Sequence, residues 1–143
     1  MTAEPRDPFE YAVLRVVPRV DRGESMNAGV LLYCQSRSFL GARVHLDVER
    51  LRALDPAADP VAVDHALRTA AGVCEGQTGA GPAGDEDPGR RFRWLTAPRS
   101  TVVQPGPVHT GLTDDPEADL DRLLRLLVLP VSTNDHGSVI STT

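Results

Sequence analysis

Guanidinium, carboxylate and carboxamide groups gather in sequence around one turn. Arg15 stands in "YAVLRVVP", and Arg22, Glu24 and Asn27 follow in "RVDRGESMNAGVLLYC", residues 19–34. Arg15 shares its strand face with apolar residues, and a guanidinium withdrawn from water needs a carboxylate partner or a bound anion. Two arrangements meet that need. In the plainer one, Arg15 pairs with Glu24 and ties the loop to the sheet, Gly23 supplies the turn, and Asn27 bonds loop backbone. In the other, Arg15, Arg22, Glu24 and Asn27 line a polar pocket beside Gly29, whose missing side chain lets a phosphate or carboxylate ligand approach the backbone.

A second cluster, "RRFRW" followed by Arg99, interleaves cations with aromatics. Arg90, Arg91 and Arg93 with Phe92 and Trp94 carry the residue types of a single-stranded RNA platform, which works in a positive field. The chain has a formal charge of −5, which argues against nucleic acid and a broad phosphate-binding footprint. The plainer reading is an edge strand with Phe92 and Trp94 entering the core or a partner while Arg91 and Arg93 stay wet. Arg91, Arg93, Trp94 and Arg99 are the candidate partner-binding residues.

Other chemistry is excluded by what the chain lacks. All 15 of its basic residues are arginine, so it has no lysine for a Walker loop, a kinase strand or a Schiff base. His65 and Asp64 make no metal set alone, and no H-x-x-x-H accompanies them. Ser100 and Thr101 lie outside any G-x-S-x-G elbow. No catalytic set, metal or cofactor is assigned. The two cysteines, Cys34 and Cys74, read as free buried thiols on a strand and a helix, without the spacing of a zinc or disulfide scaffold.

These residues need elements to hold them. A chain of 143 residues, 41% hydrophobic, suits one domain with one core. Residues 9–17 alternate and end at Pro18, which predicts a strand with Tyr11, Val13, Arg15 and Val17 on one face. The unbroken apolar run over 28–34 predicts an interior strand covered on both sides. "QSRS" is a polar connection. Residues 39–46 then place Leu40, Ala42, Val44 and Leu46 on one face and Gly41, Arg43 and His45 on a half-exposed one. A short helix over "DVERLRAL" stops at Asp55-Pro56. Asp59-Pro60 then caps and starts an amphipathic helix that runs to Gly76.

From Gly76 to Gly89 the chain holds no large apolar residue, which predicts a flexible, glycine- and acid-rich loop. "RFRWL" and "STVVQ" are short strand candidates. Asp115-Pro116 opens a last helix, with Leu120, Leu123, Leu124 and Leu127 on one face and Arg122 and Arg125 facing out. Residues 132–143 read as a disordered tail. The expected architecture is an α+β domain over 1–131, a small, mainly antiparallel sheet with the second and last helices packed on it. The first residues lack a secretory apolar stretch and no run is long enough to span a bilayer, so the expected location is the cytoplasm, away from membranes.

"YAVLRVVP", "RGESMNAGVLLYC", "LDVERLRAL", "WLTAPRSTVVQPGPV" and "DPEADLDRLLRLLV", in this order, resemble the bacterial domain of unknown function 3037 family over nearly the whole chain. The resemblance carries no activity. It implies a small cytoplasmic bacterial protein, often encoded beside a HipA-like kinase, and hence a kinase partner. The leading expectation is a non-catalytic accessory or interaction subunit. The alternatives are a ligand-binding module or enzyme built on Arg15, Arg22, Glu24, Asn27 and Gly29, and RNA binding through the arginine-aromatic segment.

Overall fold

The computed structural model describes residues 5–76 and 87–131. Most of the loop expected over 76–89, and the whole tail expected over 132–143, lie outside the described residues. Strands β1 (Asp7–Val16), β2 (Met26–Cys34) and β3 (Phe39–Val44) form an antiparallel meander. Strands β4 (Val103–Pro105) and β5 (His109–Thr113) return to the other edge of β1, β4 opposite Leu14–Val16 and β5 opposite Asp7–Tyr11. The sheet order is therefore β3-β2-β1-β4, with β5 also beside β1. β2 is interior, as its apolar run requires.

Helices cover both faces. Helices α1 (Val48–Leu54), α2 (Pro60–Glu75) and α3 (Pro88–Thr96) bury Leu51, Leu67, Cys74 and Phe92 against Leu14, Val16 and Leu31. Helix α4 (Pro116–Leu127) packs Leu120 and Leu123 on Phe9, Val30 and Leu32 of the opposite face. This is an α+β fold. Each helix begins at an aspartate whose carboxylate accepts from a backbone N–H of the first turn: Asp47 from Arg50, Asp59 from Val61, Asp87 from Arg90 and Asp115 from Ala118. In the last three, proline follows at once, where its missing N–H costs nothing.

The face bearing Gly41 and Arg43 is covered by α4 rather than half-exposed. A Cβ at Gly41 would lie 2.8 Å from a Leu120 methyl, so the bare backbone lets the helix settle there. Arg43 then reaches up to α4, its Nε donating to Asp121 at 3.0 Å.

The pairing of β1 with β2 slips once. Leu14 faces Gly29 but Arg15 faces Asn27, so Ala28 is an extra residue, a β-bulge. Met26 and Ala28 consequently join Leu31 on the α1–α3 side, while Asn27 joins Val30 and Leu32 on the α4 side. Asn27 Nδ2 there donates to the Leu127 carbonyl at 3.0 Å, capping the last turn of α4.

At Gly29 a Cβ would lie 3.0 Å from the Arg43 carbonyl and 3.0 Å from a Val44 methyl. One obstacle is backbone in a paired strand and cannot yield. The overpacking penalty, about 1–3 kcal/mol, should therefore exceed the ~0.4–1 kcal/mol that alanine gains by restricting the unfolded chain. Gly29→Ala is expected to lower the urea midpoint at unchanged slope. A midpoint at or above wild type would show that the bulge has room to spare.

Candidate functional site

The first cluster does not assemble as a pocket. Arg22 and Glu24 pair with each other across the turn, both largely exposed, so Glu24 is not the partner of Arg15. Arg19 and Asp21 likewise face each other at 3.6 Å. The loop satisfies its charges locally because neighbours two apart in a turn meet without crossing to the sheet. Asn27 serves α4 and Gly29 serves the bulge. Of the five residues expected to bind a ligand, Arg15 lines a cavity of about 260 Å³ that it shares with Gly23, Ser25, Ser100, Gln104 and Pro105. The partners of Arg15 in the sheet are two amides, Asn27 on β2 and Gln104 on β4.

The second cluster is a helix, not an edge strand. Asp87-Pro88 opens α3 as Asp59-Pro60 opens α2, and Phe92 and Leu95, three apart, enter the core. The stacking ladder of a single-strand binder is therefore not formed: Phe92 is fully buried and stacks on Tyr33 with ring centroids 5.5 Å apart. Arg93 lies over the Phe92 ring, 5.5 Å from its centre, and grips Glu10 of β1 through two bonds of 2.8 Å. That bidentate contact raises its already high pKa. Arg91 Nε donates to the Cys74 carbonyl at the end of α2, at 3.3 Å.

Trp94 and Arg99 do meet. Trp94 is 48% exposed, and the Arg99 guanidinium lies 4.6 Å from the centre of its ring, a cation–π contact. The same guanidinium donates to the Trp94 carbonyl. Beneath Trp94 runs a groove of about 400 Å³ walled by Ala66, Ala70 and Val73 of α2, Leu95 of α3, and Val102 and Val103. Thus Trp94 and Arg99 share one wall of a groove, while Arg91 and Arg93 are committed to holding α3 in place.

Sequence reasoning missed a cavity of about 530 Å³ between Pro8, Glu10, Tyr33, Ser36 and Thr110. No signal pointed to it, because its walls come from three strands and a turn far apart in sequence. Its charged wall, Glu10, is already neutralised by Arg93. Among the described residues no three metal-ligating side chains cluster. Both cysteines are buried and free, as expected. Burial, reinforced by the neighbouring Glu75 carboxylate, pushes the Cys74 thiol up to about 12.

A family model described as "Protein of unknown function (DUF3037)" matches residues 11–128. The chain belongs to this family. No curated protein matches it, and no solved structure does. The matched span runs from β1 to the residue that ends α4, so the Arg15 cavity and the Trp94 groove both lie within the family's domain. Among the described residues no helix is long and apolar enough to cross a membrane.

Two measurements check this geometry. Arg15→Met keeps the apolar stem and removes a charge that has no counter-charge among the described residues, so stability should change by less than about 1 kcal/mol, against about 3–5 for breaking a buried pair. Combining it with Glu24→Gln should be additive within about 0.5 kcal/mol; non-additive denaturation midpoints would restore the Arg15–Glu24 pair. Since the thiolate is the reactive form, Cys74 should resist a disulfide reagent at pH 8 in the folded protein and react once urea unfolds it. Rapid native labelling of Cys74 would contradict its burial.

Proposed function

We propose that this chain is a non-catalytic interaction subunit that docks a partner protein in the groove between α2, α3 and the segment 99–103. The observation that carries the reading is Trp94, held half-exposed above apolar walls. The Arg99 guanidinium lies against the indole and also donates to the Trp94 backbone carbonyl, which restrains the ring before anything binds. A rigid aromatic anchor loses little freedom on association, and tryptophan and arginine are the residues most often dominant in such interfaces. The matching partner segment presents an apolar side chain to the groove and a carboxylate to Arg99, whose contacts among the described residues are carbonyls and a ring rather than an acid. A HipA-like kinase, implied by the family resemblance, is the partner to try first.

Trp94→Ala removes the anchor without opening the core. It should weaken binding to a co-encoded HipA-like kinase by about 2 kcal/mol or more, roughly thirtyfold, in calorimetry. The melting curve of the isolated chain by circular dichroism should stay within a few degrees of wild type. Unchanged affinity, or a lower melting temperature as the only effect, would sink the groove as the interface.

A further inference from the structure

Four arginines among the described residues are partly buried: Arg15, Arg43, Arg91 and Arg99. Three have evident employment. Arg43 meets Asp121 and Glu117, Arg91 meets the Cys74 carbonyl, and Arg99 meets Trp94. The Arg15 side chain has no hydrogen bond or ion pair to any described residue, and no carboxylate lines its cavity. The nearby loop offers none, since Arg19 with Asp21 and Arg22 with Glu24 are matched among themselves.

The guanidinium is nevertheless placed by its surroundings. A Cβ at the buried Gly106 would fall 3.2 Å from its Cζ and 3.3 Å from its Nε, so the bare backbone there lets the guanidinium lie where it does, and a methyl group would push it aside by a few tenths of an ångström. On the open side stand the neutral side chains Ser25, Ser100 and Gln104. Gln104 is itself held, its Nε2 donating to the Thr101 carbonyl at 2.8 Å.

The geometry points to a small-oxyanion site, in which a carboxylate or phosphate group of a small ligand sits on the Arg15 fork with the Ser25 and Ser100 hydroxyls on its remaining oxygens. A planar guanidinium recognises both groups through paired N–H donors. At about 260 Å³ the cavity falls below the ~300–1,000 Å³ of pockets that enclose a whole small molecule. It therefore takes the charged end of a ligand, with the rest in solvent. One cation in a chain of formal charge −5 suits a single anionic group and not a polyanion.

The full chain, labelled with ¹⁵N, is titrated with inorganic phosphate and separately with acetate at ionic strength held constant with chloride. Either probe should move the Arg15 Nε–Hε resonance and the Ser25 and Ser100 amides along a saturable curve, while the Arg99 Nε resonance stays in place. Response to phosphate alone assigns a phosphate ester, and response to acetate alone assigns a carboxylate. Response to both assigns the shared oxyanion chemistry. Arg15→Lys, which keeps the charge and loses the fork, should weaken the midpoint at least about tenfold. Gly106→Ala, which crowds the guanidinium, should do likewise. No movement of the Arg15 resonance, or a linear drift shared by every arginine, overturns the proposal from the wild-type titration alone, whether or not the variants fold.

Discussion

The extra residue that β2 carries at Ala28 decides which side of the sheet every later side chain of that strand faces. Side chains alternate with a period of two, so without the bulge Met26 and Asn27 would exchange faces relative to Val30 and Leu32. Asn27 would then enter the apolar layer beneath α1–α3, and the final turn of α4 would lose the amide that caps Leu127. With the bulge, an amide and an apolar run from the same strand each find the layer that suits them. Gly29 is part of the same device, because the kinked strand brings the Arg43 carbonyl to where a Cβ would stand. The bulge also sets the environment of Arg15, whose neighbour on β2 becomes an amide.

A chain whose only cations are arginines uses them as forks between elements. Arg93 joins α3 to β1, Arg43 joins β3 to α4, and Arg37 joins the turn after β2 both to Asp7 at 2.6 Å and to the Asp114 carbonyl that precedes α4. These pairs sit at the surface, where solvent screening leaves an ion pair little net stabilisation. Apolar burial does more for stability. What the pairs add is orientation, since a bidentate fork fixes direction as well as distance. The Arg37 guanidinium holds the Asp7 carboxyl below its usual range. That depressed carboxyl favours the folded state above its unfolded pKa, and the contribution is lost as the pH falls through the folded value.

Much of this architecture was legible because burial and capping write periodic patterns. The interior strand announced itself as an unbroken apolar run, and two helices by an aspartate-proline start followed by leucines or valines at helical spacing. Asp87-Pro88 is the same start. In sequence it resembles the end of a loop because the glycines and acids before it obscure the helix, and because Phe92 and Leu95 supply only one apolar step among arginines. β5 escaped for a related reason: "HTGLT" buries only Thr113 and pairs along an edge, so it shows little apolar alternation. The site was less legible than the fold. Glu24 is near Arg15 along the chain, but the neighbours of Arg15 are chosen by strand register, and the wall it faces comes from residues 100–105, which no local pattern connects to it.

That distant segment gives the molecule its most consequential asymmetry. Val103 stands opposite Val16 and packs beneath the helices, while Gln104 stands opposite Arg15, so successive residues of one short strand wall two cavities on opposite faces. β4 is fastened to β1 by Val17 N–H to the Val102 carbonyl and Gly106 N–H to the Val13 carbonyl, each 2.7 Å. Its outer rim is partly spent: the Thr101 hydroxyl donates to the Val103 carbonyl, and Pro105 has no N–H to offer. Such an edge is a poor template for another strand. Recognition on either side must therefore come from side chains, Trp94 and Arg99 above the groove and Arg15 in the opposite cavity. Any occupant that shifts β4 alters both walls together, whereas one that leaves it fastened acts on its own face alone.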